Sequence, residues 1–126
     1  MAALTEKKMI TDWLKYEEPN HYSRETVTIA SGAGVLATGT VLAKVTASGK
    51  YVAAAASGSD GTQTAVAVLV TPVDASAADQ KAVVVARDAI AGHAGLTWGA
   101  TINDSTKRAA AITQLAAVGI LVRESA

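Results

Sequence analysis

The segments that decide the fold are Gly39-Thr40-Val41-Leu42-Ala43-Lys44-Val45, Thr46-Ala47-Ser48-Gly49, Lys50-Tyr51-Val52 and Thr64-Ala65-Val66-Ala67-Val68-Leu69-Val70. Val41, Leu42, Val45, Tyr51 and Val52 are strand formers, since β-branched and aromatic side chains pack well on a pleated surface. Thr46-Ala47-Ser48-Gly49 has the small, polar, glycine-ended composition of a hairpin connection. Asp60-Gly61 marks a second turn. Val66 to Val70 is almost continuously apolar, which predicts a strand covered on both faces. The stretch reads as a meander of at least three strands at the middle of a small, mainly β core.

Outward from this centre the pattern continues. Arg24 to Ala30 alternates polar and apolar residues, the period of a half-buried strand, and Ser31-Gly32-Ala33-Gly34 turns the chain into the meander. Thr71-Pro72-Val73-Asp74 ends the meander's last strand. Lys81 to Ile90 predicts one further buried strand, polar at Arg87-Asp88, followed by a glycine-flanked loop, Ala91-Gly92-His93-Ala94-Gly95. Asn103 and Asp104 are N-cap candidates for a helix over Ser105 to Val118, because their side-chain oxygens can accept from free backbone N–H groups. Its core stripe is read as Ile112, Leu115 and Ala116, with Lys107 and Gln114 facing water. Gly119 suits the position just past a helix C-terminus, and Ile120-Leu121-Val122 reads as a last short strand.

The first 25 residues differ from the rest. They hold Trp13, Tyr16 and Tyr22, three of five aromatic residues, and nine of 22 charged ones. Met9, Ile10, Trp13 and Leu14 have the spacing of one face of a short helical turn, and Pro19 stops any helix there. This predicts an extended N-terminal arm over residues 1–25 with an apolar anchor, ahead of a β-rich domain over 26–126. The alternative is that Trp13 and Leu14 fold back on their own domain.

Composition narrows the function. The 126 residues carry 11 basic and 11 acidic side chains and no cysteine. A chain without a clustered basic surface lacks the usual source of nucleic-acid affinity. Disulfides and thiolate metal sites are ruled out. No apolar run approaches the roughly 18–20 residues that span a bilayer, and charges interrupt the N-terminus where a signal peptide would need an apolar run. A soluble product of the cytoplasm, with no membrane partner, is the expectation.

Catalytic machinery is equally sparse. His21 and His93 are the only histidines, and no serine sits in a Gly-x-Ser-x-Gly elbow. A set built on His93 and Asp88 lacks a nucleophile, so His93 reads as a surface histidine. No histidine pair at i, i+4 and no Asp-x-Asp loop suggests a metal. Gly32-x-Gly34 lacks the third glycine and the following helix of a dinucleotide loop. Asp60, Asp74, Asp79 and Asp88 fall in turns, where aspartate commonly caps local backbone groups. Arg87-Asp88 reads either as a buried pair at a subunit contact or as a solvated strand end. No enzyme, cofactor or metal is expected.

The order Gly39-Thr-Val-Leu-Ala-Lys-Val-Thr-Ala-Ser-Gly-Lys-Tyr51, Asp60-Gly-Thr-Gln-Thr-Ala-Val-Ala-Val-Leu69, Leu96-Thr97-Trp98, an alanine-rich helix and Gly119-Ile-Leu-Val-Arg123 resembles the lambda-like head decoration protein D family of tailed bacteriophages. Tyr16-Glu-Glu-Pro-Asn-His-Tyr-Ser-Arg-Glu25 is similar to that family's N-terminal segment. The similarity covers Tyr16 to Arg123, departing at Gly99, where many relatives carry proline. The resemblance implies a small β-tulip-like domain with one C-terminal helix, assembled as a homotrimer on the outer surface of the expanded head. There it would bind the major capsid protein near local threefold positions and cement the shell against internal DNA pressure. Within the arm, Met9, Ile10, Trp13, Leu14, Tyr16, Pro19, His21 and Tyr22 are the expected capsid-binding residues, ordering on the shell. A trimeric virion-surface adhesion or host-binding module is the alternative, weakened by loops without the Tyr, Trp or Arg of binding hot spots.

Overall fold

The computed structural model describes residues 9–19 and 22–124. Among the described residues, ten strands and one α-helix follow a one-turn 3₁₀ helix over Ile10–Asp12. The strands are β1 (Leu14–Glu17), β2 (Arg24–Ile29), β3 (Gly34–Leu36), β4 (Val41–Lys44), β5 (Tyr51–Ala53), β6 (Ala65–Leu69), β7 (Val73–Ala75), β8 (Gln80–Val85), β9 (Ala89–Gly92) and β10 (Ile120–Arg123). The helix, α1, spans Ser105–Ala117. The chain is therefore β-rich with a single C-terminal helix, as expected.

Five strands close into a barrel in the order β2-β5-β4-β6-β8, with β2 antiparallel to β8 across the seam. The β4–β5 hairpin forms where Thr46 to Gly49 predicts it, and Gly49 N donates to Val45 O at 2.8 Å. The expected meander is corrected in its order. β4 lies between β5 and β6, so the long loop after β5 carries the chain past β4 to its other edge. Residue patterns define each strand, but which edge a returning strand takes depends on the core it must cover.

That core has two parts, and the barrel strands feed both. Val41, Ala43, Val68 and Val85 join one cluster, whereas Leu42, Ala67, Leu69 and Val84 join the other. The continuous apolar run of β6 is thereby covered on both faces, as read from the sequence. The first cluster also takes in Ala89, Ala91, Leu115 and Ile120, and it joins the barrel to a three-stranded sheet of order β1-β9-β10. A separate pair, β3-β7, completes the strands.

Two local readings are revised. The predicted strand over Lys81 to Ile90 is two strands. The chain breaks between β8 and β9 where Asp88 adopts φ 47°, an unusual geometry for a non-glycine residue. The supposed loop at Ala91-Gly92 is buried strand, and a short 3₁₀ turn follows over His93–Gly95. Arg87 pairs with Glu25 at 2.7 Å while Asp88 is exposed, so these neighbours turn away from each other.

The helix begins as predicted, with the Asp104 side chain accepting from Lys107 N at 2.8 Å, and Gly119 follows at φ 87°. Its buried stripe is Ala111 and Leu115, whereas Ile112 is half-buried and Ala116 exposed. Gln114 is not free in water. Its side-chain oxygen accepts from Ala65 N at 2.8 Å and its amide donates to Gln63 O at 3.2 Å, tying the helix to β6. At Gly99 the backbone lies so close to the Ala54 carbonyl that a side chain would collide with it.

Candidate functional site

The N-terminal segment and the β1-β9-β10 sheet bring together most of the residues singled out from the sequence. Met9 N donates to Asp12 Oδ2 at 2.9 Å, closing the first turn. Trp13 then enters the first core cluster with no exposed surface. Its indole Nε1 donates to Thr38 Oγ1 at 2.9 Å, and Thr38 Oγ1 in turn donates to Leu69 O at 3.3 Å. Gly95 accommodates the turn, because any side chain there would meet the Asp12 carbonyl.

β1 pairs antiparallel with β9, placing Leu14 opposite Ala91, Tyr16 opposite Ile90 and Glu17 opposite Ala89. On the other side β10 runs parallel to β9, with Leu121 opposite Ile90. The segment is also held where it leaves the sheet. Glu18 N donates to Ser23 Oγ at 2.9 Å, and the buried Ser23 hydroxyl donates to Asp88 O at 2.8 Å. Arg24 grips Glu17 with two parallel bonds of 2.8 and 2.7 Å. That bond raises the Arg24 guanidinium above its ordinary value.

Within the expected arm over residues 1–25, residues 9–19 and 22–25 pack against the rest of the chain. They are built into the domain, as strand, turn and core, and the alternative of Trp13 folding back is the one observed. The physical reason lies in tertiary partners distant in sequence, Thr38 for the indole and β9 for the strand. An indole with its N–H satisfied and a strand with a free partner edge are both better placed inside the fold than in water. Residues 1–8 and His21 lie outside the described residues.

The expected contact residues divide by direction. Ile10 and Leu14 pack against the first cluster beside Trp13. Met9, Tyr16 and Tyr22 are 62%, 49% and 59% exposed, respectively. Pro19 is exposed in the turn that follows β1. Arg87 reaches over the Tyr22 ring at 5.6 Å and donates to Tyr22 O at 2.6 Å. The charge of Glu18, with lesser help from desolvation and a hydrogen bond, raises the Tyr16 phenol above its ordinary value.

Three relevant residues escaped sequence reading: Thr38, Ile90 and Leu121. Nothing in Ala37-Thr38-Gly39-Thr40 signals an indole acceptor. The in-out alternation of Ile120 to Arg123 is a usable signal for an outward Leu121.

The suspected His93–Asp88 set does not assemble. The two residues flank opposite ends of β9, roughly 16 Å apart at strand rise. His93 is half-buried rather than a surface histidine. Its Nδ1 lies 3.2 Å from Glu124 Oε1 and its ring is 5.9 Å from that of Trp98. Among the described residues no group of three or more His, Asp or Glu side chains is placed to hold a metal.

A family model described as bacteriophage lambda head decoration protein D matches residues 3–120 of the chain. No curated protein matches it.

Proposed function

This chain belongs to the bacteriophage lambda head decoration protein D family, and we propose that it decorates the head as a homotrimer bound to the major capsid protein at local threefold positions of the expanded shell. Its work there is to hold neighbouring capsid subunits together against packaged DNA, from the outer surface, as a structural protein without enzymatic activity. The observation that carries this reading is the extent of the family match, which runs from ahead of β1 to the start of β10.

Physical considerations support it. A pre-shaped surface favours attachment, since ordering a segment on binding costs about 1–2 kcal/mol per residue in backbone entropy. The segment from Met9 to Glu18 has already met that cost by folding onto its own sheet. Three copies in one trimer make the second and third contacts effectively intramolecular, which raises avidity by about 10²–10⁴.

The test is co-sedimentation of the full chain with expanded, undecorated heads, followed by heat challenge, with sedimentation velocity reporting the free protein's mass. Saturable pelleting of a trimer that protects heads from heat is the expected result. A stable trimer that neither pellets nor protects would overturn the reading and turn attention to host-surface adhesion.

A further inference from the structure

Ile90 of β9 stands opposite Tyr16 of β1 on one side and Leu121 of β10 on the other. Neighbours on one face of paired strands lie about 4.5–5.5 Å apart, so the three form one apolar row across the whole sheet. Ala89, Ala91 and Ile120, on the opposite face, belong to the core. The row is open, with Tyr16 49% and Leu121 44% exposed. It floors a groove of about 270 Å³ that also has Glu18 and Asp88 on its wall.

The two carboxylates set the character of this groove. Glu17, Glu25 and Asp79 each have a cationic partner within 2.7 Å. Glu18 and Asp88 have none among the described residues; Glu18 only accepts from the Tyr16 hydroxyl at 3.4 Å. An aromatic and aliphatic centre with a polar rim is the anatomy of a protein interface, and apolar residues aligned in register exceed the single scattered ones of an ordinary surface. A purely apolar occupant would desolvate two carboxylates without compensation, which is costly. The complementary occupant therefore carries a positive charge beside its apolar side chains.

We propose that the outer face of the β1-β9-β10 sheet, with Tyr16, Ile90 and Leu121 in one row and Glu18 and Asp88 at its end, seats an apolar segment of the major capsid protein that bears a lysine or arginine. This rests on the decoration reading and adds to it the face used and the chemistry of the partner. It also shifts the contact away from an unfolded arm, since two of the three row residues come from β9 and β10.

The experiment is a binding isotherm on expanded, undecorated heads for the wild-type chain, Leu121→Asp, Tyr16→Ser, the double variant Glu18→Gln/Asp88→Asn, and Val35→Asp as control. Val35 is 76% exposed but lies on the separate β3-β7 pair. Asparagine tolerates the left-handed backbone at Asp88 better than most residues. Circular dichroism and sedimentation velocity confirm that each variant keeps its fold and assembly. Leu121→Asp and Tyr16→Ser are expected to weaken binding about tenfold or more, equivalent to one 1.4 kcal/mol step or above, with Val35→Asp unchanged. The double variant is expected to bind more weakly and to lose affinity less steeply as salt rises. Wild-type affinity in both Leu121→Asp and Tyr16→Ser, while the wild-type chain pellets, overturns the face and leaves decoration standing. An unchanged salt response in the double variant overturns the cationic partner. A wild-type chain that does not pellet overturns both readings.

Discussion

Trp13 Nε1 donates to Thr38 Oγ1 at 2.9 Å with both residues buried. One bond thus joins the N-terminal turn to the barrel, because Thr38 stands just before β4 and its hydroxyl passes the chain of bonds on to Leu69 O. A buried indole with a satisfied N–H is a structural anchor, which places Trp13 among the residues that hold the domain together.

Trp13→Ala is accordingly expected to destabilise the protein by about 3–5 kcal/mol, the range for removing a large buried aromatic. Thr38→Val keeps the shape but leaves the indole N–H unpaired, at about 1–3 kcal/mol. Urea denaturation of both variants checks this. Unchanged midpoints would place Trp13 outside the core.

Removing residues 1–22 takes away the anchor and β1 together, exposing the edge of β9 and part of the first core cluster. The truncated chain is expected to aggregate or to unfold at much lower temperature, measured by thermal circular dichroism. Gly95→Ala perturbs the same docking more gently, since its new methyl would press on the Asp12 carbonyl; overpacking of this kind costs about 1–3 kcal/mol. A cooperative, wild-type melt for the truncated chain would show that the segment adds nothing to the fold.

Leu115 is fully buried on α1. Leu115→Asp places an unpaired charge in the core and is expected to abolish folding. Gln114→Ala tests the link between helix and barrel, because it leaves Ala65 N and Gln63 O without their partner. A loss of about 1–2 kcal/mol is expected for those bonds, read from the urea midpoint. A silent Gln114→Ala would mean that water replaces the amide.

Asp79 joins three parts of the barrel side. Its carboxylate pairs with Lys50 Nζ at 2.6 Å and accepts from Ser31 N at 2.8 Å. The Lys50 side-chain bond, then the Ser31 backbone bond, hold its carboxyl below the ordinary 3.8. A depressed value in the folded state means a contribution that is present above 3.8 and disappears as pH falls through the lower, folded value. The gap in melting temperature between wild type and Asp79→Asn is therefore expected to be present at neutral pH and to close in strong acid. Its size should be small, as both partners are well exposed and screened by solvent. A gap that persists in strong acid would assign the effect to packing at the asparagine instead.

Much of the fold was legible because it is encoded locally. Period-two alternation marks Arg24–Ile29, hairpin chemistry marks Thr46 to Gly49, and an aspartate N-cap with a glycine past the end brackets α1. The order of the matching segments along the chain also pointed to the family. The edge chosen by β6 was not legible, since strand pairing joins residues far apart and depends on which faces find a core. The break at Asp88 was hidden for a related reason, an apolar run being equally compatible with one long strand and with two.

The candidate surface divides along the same line. The sequence alone identified an N-terminal segment rich in aromatic and charged residues, and singled out Tyr16 and Tyr22. Only the tertiary structure sent Trp13, Ile10 and Leu14 inward while leaving Tyr16 outward, because burial depends on whether a distant acceptor such as Thr38 and a distant strand such as β9 are there to meet the side chain. Only the parallel pairing of β10 with β9 set Leu121 in line with Ile90 and Tyr16, residues that sit 105 positions apart at the extremes of that row. Composition and periodicity report the character of each segment; the closing of the sheet decides which of its faces remains for a partner.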